Sequence, residues 1–316
     1  MNADEPLPPE VRREHMIGIP EECAPSGAIA LSLRGPQQDG SEHVEAERHV
    51  LHRRAVSRKE ESTHDGETAN HAMKLRFLGT GASGGTPGKG RSRRHESSLL
   101  IEDEVSLMID ATRDFPVQST GLEQLDAVLL THAHRDAAGG VPALGRWCRA
   151  HRRPRLRTLA SPEAIAVLAT RHRRLDHLDA LAVEPGERHR VGPFRITALE
   201  VPHARDPRFR TYAWRLRTGG ITVVYASDVA HLEPELERFT DSADILVIDG
   251  AMWRRRLFAH LTIDRALPEL CRWPSKRILL TQIGRTAPPH ELLEHAVEEL
   301  CPRATPAWDG LVVDLG

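Results

Sequence analysis

The sequence predicts an α/β fold, sheets covered by helices. Two observations carry this. From Met73 onward, short apolar runs are separated by Gly, Pro and Asp, the pattern of buried strands between turns. In the second half of the chain those runs alternate with helical stretches, which argues for helices packed on sheets in one domain spanning 73–316.

The apolar runs are read in order as strands at 74–78, 98–101, 106–109, 127–130, 156–159, 194–199, 211–216, 222–226, 245–248, 278–280 and 310–313. Helices are expected at 141–151, 162–173, 233–239, 263–271 and 289–300. Pro162 follows Ser161, where a first helical turn tolerates proline. In the last helix, His290, Leu293, Ala296, Val297 and Leu300 fall on one mainly apolar face.

Residues 1–72 differ. They are rich in Glu, Arg, His, Pro and Gly, contain no aromatic residue, and have Ala28-Ile29-Ala30-Leu31 as their longest apolar run. Such a segment cannot bury enough surface to offset its ordering entropy, so a disordered N-terminal extension is expected. Met73 directly precedes the first strong strand, and a translation start there is a further expectation.

Lys and Arg number 43 and Asp and Glu 45, so the formal net charge is −2 and no global pull toward nucleic acid or membrane is expected. The 4 cysteines have no Cys-x-x-Cys spacing, which fits a reducing cytoplasm and neither a disulfide framework nor a cysteine-rich zinc knuckle. No basic leader with an apolar core precedes the domain, and no stretch approaches a membrane span.

The segment Thr131-His132-Ala133-His134-Arg135-Asp136 leaves the apolar run Ala127–Leu130 at its C-terminal end. Two imidazoles one residue apart, and a carboxylate two further on, can converge on one point. Neutral imidazole nitrogen and carboxylate oxygen are ligands that zinc, iron and manganese accept. Alone, the segment also suits a polar turn. Three others add to it: Glu200-Val201-Pro202-His203 and Val224-Tyr225-Ala226-Ser227-Asp228 end strands on a ligand residue, and Phe258-Ala259-His260-Leu261-Thr262 places a histidine before a helix.

With these residues the chain, over about 73–316, resembles the metallo-β-lactamase-fold hydrolases, in particular the branch of phosphoribosyl cyclic phosphodiesterase and ribonuclease Z. Lys74–Pro87, with its glycines, is similar to that branch's first strand and loop. Asp110 resembles the aspartate that braces the metal loop, and Leu129–Asp136 with Gly140 resembles the His-x-His-x-Asp-His motif. His203, Asp228 and Asp309-Gly310 fall where the family has its third motif, its bridging aspartate and its last strand. The resemblance implies a four-layer αββα sandwich with the metal at one edge. It implies that His132, His134 and His203 hold a first divalent ion, that Asp228 bridges to a second, and that Asp136 faces the second.

Two departures matter. The family's histidine after the motif aspartate is Ala137 here, and the one in its Thr-His loop is Gln282. Both belong to the second metal. One ion, zinc with manganese or iron as alternatives, is therefore expected rather than two, unless His231 or His260 rebuilds the second site. The glycine loop also lacks the cysteines common in the family.

The expected chemistry is hydrolysis, of a phosphodiester first, through a metal-bound hydroxide. Asp136 and Asp228 would orient it and take its proton, and His260, by resemblance, would serve the leaving oxygen. Arg285 and Arg256, the latter in Arg254-Arg255-Arg256, are candidate phosphate binders because guanidinium forks match phosphate oxygens. The expected substrate is small and nucleotide-like. Specific nucleic-acid binding is not expected: the basic cluster 146–153, with Trp147, reads as a solvated helix, and no long basic arm like that of ribonuclease Z is evident; the cluster 91–95 follows the glycine loop, whose backbone amides can cradle an anion. A homodimer stays open. The rival readings are hydrolysis of an ester, thioester or lactone on the same site, and a non-catalytic metal- or anion-binding module.

Overall fold

In a computed structural model of the chain, residues 73–316 are described apart from Pro154, and they lie within the compact unit Gly66–Gly316. The expected extension 1–72 and the expected start at Met73 concern residues outside those described, Met73 itself excepted.

The elements run β1 (Lys74–Gly79), β2 (Ser98–Glu102), β3 (Ser106–Ile109), α1 (Phe115–Gln118), β4 (Ala127–Leu129), α2 (Arg135–Ala138), α3 (Val141–Ala150), β5 (Leu156–Ala160), α4 (Pro162–Arg171) and β6 (Leu178–Ala182) in the first half. The second half has β7 (His189–Val191), β8 (Phe194–Val201), β9 (Thr211–Thr218), β10 (Ile221–Ala226), α5 (Pro234–Phe239), β11 (Ile245–Asp249), α6 (Ile263–Leu270), β12 (Arg277–Thr281), α7 (His290–Leu300), β13 (Ala304–Pro306) and β14 (Val312–Asp314).

Two mixed sheets result, ordered β14-β1-β2-β3-β4-β5-β6 and β13-β12-β11-β10-β9-β8-β7. Each joins an antiparallel run to a parallel one. In the first, β1, β2 and β3 pair antiparallel and β3 to β6 parallel; in the second, β7 to β10 pair antiparallel and β10 to β13 parallel.

Side-chain alternation along the strands explains the four layers. Leu99 and Ile101 of β2 join Phe77, Tyr212, Trp214 and Val247 in an inner core between the sheets. Leu100, between them, faces the other way and packs with Val128, Leu144, Cys148 and Leu168, where α3 and α4 cover the first sheet. In β11, Val247 points inward while Leu246 and Ile248 meet Leu267, Leu293 and Val297 of α6 and α7. A strand covered on both faces needs a continuous apolar run, which is what Ile245–Ile248 supplies. The αββα sandwich expected from the sequence is therefore the fold.

Local signals behave as chemistry requires. Ser161 accepts the Ala164 N–H at 3.1 Å and opens α4 ahead of Pro162. Trp147 is buried, donates its indole N–H to the Leu122 carbonyl and stacks on His151, so it is not a surface platform. Among the described residues, no helix is long and apolar enough to cross a membrane.

Candidate metal centre

The loops at the C-terminal ends of β3, β4, β8, β10, β11 and β12 meet at one edge of the sandwich. Asp110, just past β3, adopts φ 65°, and its buried carboxylate accepts both the backbone N–H and the hydroxyl of Thr131. Burial pushes the Asp110 pKa well up, and the Thr131 donors oppose that. The brace fixes the turn that carries His132 and His134. Gly140, at the far end of the same turn, packs so tightly that a Cβ would lie 1.9 Å from the Thr112 carbonyl oxygen.

The hydrogen bonds determine which ring nitrogens face inward. Thr131 gives its one hydroxyl proton to Asp110, so its 2.9 Å contact with His132 Nδ1 needs a proton from the ring. His132 Nε2 is then a lone pair, and it is buried with no protein partner. His203 donates from Nδ1 to the Ala259 carbonyl at 2.9 Å, so its Nε2 is also a lone pair. It lies 3.4 Å from His134 Nδ1. The three rings meet edge to face, with centroids 4.7 to 5.4 Å apart. Burial holds both His132 and His134 down to a pKa of about 4, so they are neutral near pH 7. Three imidazoles that each turn a ring nitrogen to one point, with those nitrogens within 4.8 Å of one another, fit a divalent cation.

Asp228, two residues past β10, lies beside them, its Oδ1 3.9 Å from His203 Nε2. Burial works against its charge, but His132, His203, His260 and the Ser227 hydroxyl outweigh that and hold its pKa below the usual carboxylate range. A second overlapping set of donors, His203, Asp228 and His260, also lies within 4.8 Å of one another. His260 differs from the others in that set in having a carboxylate partner. Its Nδ1 sits 2.7 Å from Asp249 Oδ2, and despite burial the Asp249 carboxylate raises its pKa to about 9. An ion at its Nε2 would have to displace the proton there.

Gln282 occupies the place where the resemblance implies a second-metal histidine. Gln282, at φ 57° just past β12, donates its side-chain amide to Asp228 Oδ1 at 2.7 Å and faces Asp136 Oδ2 at 3.5 Å. Burial first, and Asp228 second, push the Asp136 pKa up. An amide N–H therefore stands between the Asp228 and Asp136 carboxylates. Ala137 is buried and has no donor atom. His231 is exposed and pairs with Glu233 at 3.1 Å, so it does not rebuild the second site.

His132, His134, Asp136, His203, Asp228 and His260 thus come together, as the sequence suggested. Arg256 is exposed and lines a cavity of about 580 Å³ shared with His260. Arg285 instead donates to the carbonyls of Gly84 and Gly85, bracing the glycine loop. Sequence reasoning missed Asp249, the last residue of β11, in a position like that of Asp228, which lies two residues past β10. The strand-end position was a signal; the contact with His260 was not legible.

A family model described as a beta-lactamase superfamily domain matches residues 105–283, more than half of the chain. An octanoyltransferase of Porphyromonas gingivalis is 27% identical over 266 residues, which is 76% of this chain and 51% of that protein, so the chain spans about half the relative's length. A ribonuclease Z of a Bradyrhizobium species is 25% identical over 288 residues, 71% of this chain and 94% of that one. A crystal structure described as a new diphosphatase from the PhnP family superposes with a TM-score of 0.67 at 23% identity, covering 77% of this chain and 97% of the other. With the two-sheet architecture and the histidine cluster, these matches identify the chain as a member of the β-lactamase superfamily carrying the metallo-β-lactamase fold.

Proposed function

We propose that the chain is a metal-dependent hydrolase of small phosphodiesters that works with one divalent cation. The observation that carries this is the convergence of the His132, His134 and His203 ring nitrogens beside Asp228, next to a His260 that is paired with Asp249. His132, His134, His203 and Asp228 would hold the ion, zinc foremost, with manganese or iron as alternatives. Such an ion supplies Lewis acidity and lowers the pKa of a water it binds.

The chain's own groups do the rest. Asp228 and Asp136 lie where they can orient an attacking water and accept its proton. His260, cationic at neutral pH, holds a proton on the opposite nitrogen from the one bonded to Asp249. That proton can pass to the leaving oxygen, and Asp249 stabilises the cation until it does. With Gln282 in place of a second ion, charge on the phosphoryl oxygens must be met by protein cations, and Arg256 borders the cavity at His260. Cys148, Cys271 and Cys301 are free thiols, in keeping with the reducing cytoplasm we assign to it.

The test uses leaving groups of different basicity. Purified zinc-loaded protein is assayed on bis(p-nitrophenyl) phosphate and on a 2′,3′-cyclic nucleotide. His132→Ala is expected to abolish turnover of both. His260→Ala is expected to slow the cyclic nucleotide, whose alkoxide leaving group needs a proton, by about a hundredfold or more, and the nitrophenyl ester far less. Turnover of p-nitrophenyl acetate alone would favour acyl chemistry. Stoichiometric metal with no turnover of any ester would leave a binding module.

A further inference from the structure

We propose that Arg113, Arg135 and Arg171 form an anion subsite beside the metal centre, which takes a second, phosphate-sized anionic group of the substrate. This rests on the phosphodiesterase reading and narrows it to substrates that carry an anion next to the scissile diester.

The three guanidiniums, with Ala138, Gly139 and His172, line a cavity of about 320 Å³. No carboxylate lines it. The arginines come from three separate elements. Arg113 follows the brace aspartate of β3, Arg135 opens α2 between His134 and Asp136, and Arg171 ends α4. Convergence of like charges from distant parts of the chain costs energy unless something offsets it.

The offsets within the protein are incomplete. Arg113 is balanced by buried Glu96, to which its side chain donates from both Nε and Nη2. Arg171 donates to the Ala133 carbonyl, which carries no charge to neutralise it. Arg135 is exposed and makes no ion pair among the described residues. Two guanidinium charges are left for a ligand. A phosphate group suits them because a planar fork can meet two of its oxygens at once.

The subsite is tied to the metal loop. Ala133, which accepts from Arg171, lies between the two motif histidines. The Arg171 guanidinium also sits 5.4 Å from the centre of the Phe209 ring, and that ring stacks on His134 at 4.1 Å. The arginine cavity and the histidine cluster therefore share the loop 132–136, with Arg135 directly between His134 and Asp136. The position between the second motif histidine and the aspartate is not needed for ligation, and here it carries Arg135.

The decisive experiment is calorimetric titration of the full chain with inorganic pyrophosphate at low ionic strength. It compares wild type, Arg135→Gln, Arg171→Gln, the double variant, and Arg277→Gln as an exposed control on β12. The double variant is expected to bind about tenfold more weakly or worse, with the control within about twofold of wild type. Both side chains are exposed, but Arg171 also bonds the Ala133 carbonyl, so circular dichroism and metal content of each variant are required to match wild type, and the Arg135→Gln loss is read on its own. Unchanged affinity in the double variant, or an equal loss in the control, overturns the proposal. Because binding is read without turnover, failure of the hydrolase reading leaves this result interpretable. Where turnover is present, thymidine 5′-(p-nitrophenyl phosphate) with and without a 3′-phosphate gives a second readout. The added phosphate is expected to lower KM in wild type and not in the double variant; an equal gain in both overturns the assignment.

Discussion

Asp249→Asn is the substitution that probes the proton donor most directly. The Asp249 carboxylate is 1% exposed, and both its oxygens are engaged: Oδ2 takes the Val229 N–H at 3.0 Å and His260 Nδ1 at 2.7 Å, and Oδ1 takes the Ala251 N–H at 2.8 Å. An asparagine that keeps its oxygen on Ala251 turns its amide nitrogen toward Val229, donor against donor. One buried N–H is then orphaned, at a cost of about 1–3 kcal/mol. The His260 ring also loses its partner charge. Its pKa lies at about 9 against an ordinary 6.5, a gap equivalent to about 3 kcal/mol at most. Since the folded-state value is raised, this stabilisation is complete below about pH 6.5 and is lost as pH rises through about 9. The stability difference between wild type and Asp249→Asn, from urea unfolding of metal-stripped protein, should therefore be larger at pH 6 than above pH 9. The His260 titration, followed by NMR of its ring carbon in the same metal-stripped protein, should move from near 9 to 6.5 or below. Turnover of an alkyl phosphodiester should fall about a hundredfold or more. A His260 midpoint that stays near 9 in the variant would refute the pairing and with it the donor role.

Three further outcomes follow from the same geometry. Ala137→His with Gln282→His should raise metal content from one ion per chain to two by elemental analysis, because it removes the amide between Asp228 and Asp136 and restores two imidazoles; content unchanged at one would mean that other groups close the second position. Gly140→Ala should destabilise the fold by about 3 kcal/mol in urea unfolding, since its Cβ would meet the Thr112 carbonyl and the Phe115 side chain, and a loss below about 0.5 kcal/mol would show that the turn relaxes. His290 is fully buried and held down to a pKa of about 4 by burial and then by Arg94 and Arg91; the unfolded chain binds that proton near 6.5, so stability should fall as pH drops from about 6.5 to 4, and His290→Gln should remove up to about 3 kcal/mol of that fall.

Much of the fold was legible because its strands are buried on both faces. A run such as Ile245–Ile248 has no polar alternation to confuse it, and its end marks where loop chemistry begins. Where that signal weakens, reading fails. β6 is an edge strand in which four of the five residues are exposed or half-exposed and only Leu178 is buried, and β13 is a three-residue strand that contains Pro306. α1 and α2 are four residues long, too short for a helical period to show.

The candidate site divides the same way. His132, His134, His203 and Asp228 each follow an apolar run, so position and residue type pointed to them together. Asp249 met the same rule, but its meaning comes from a contact eleven residues along the chain that only folding reveals. The role of Gln282 was visible as a missing histidine; that its amide takes up the space between two acids was not. The arginines at 113, 135 and 171 lie in separate segments with no shared spacing, and only the packing of α4 and Phe209 against the metal loop draws them together.

The central claim is one cation held by three imidazoles, and metal stoichiometry tests it most directly. Inductively coupled plasma analysis of the purified chain should give one divalent ion per protein, and close to none when His132, His134 and His203 are all changed to alanine. A metal content that survives the triple substitution, or a wild-type chain that binds no ion at all under saturating zinc, would contradict the account.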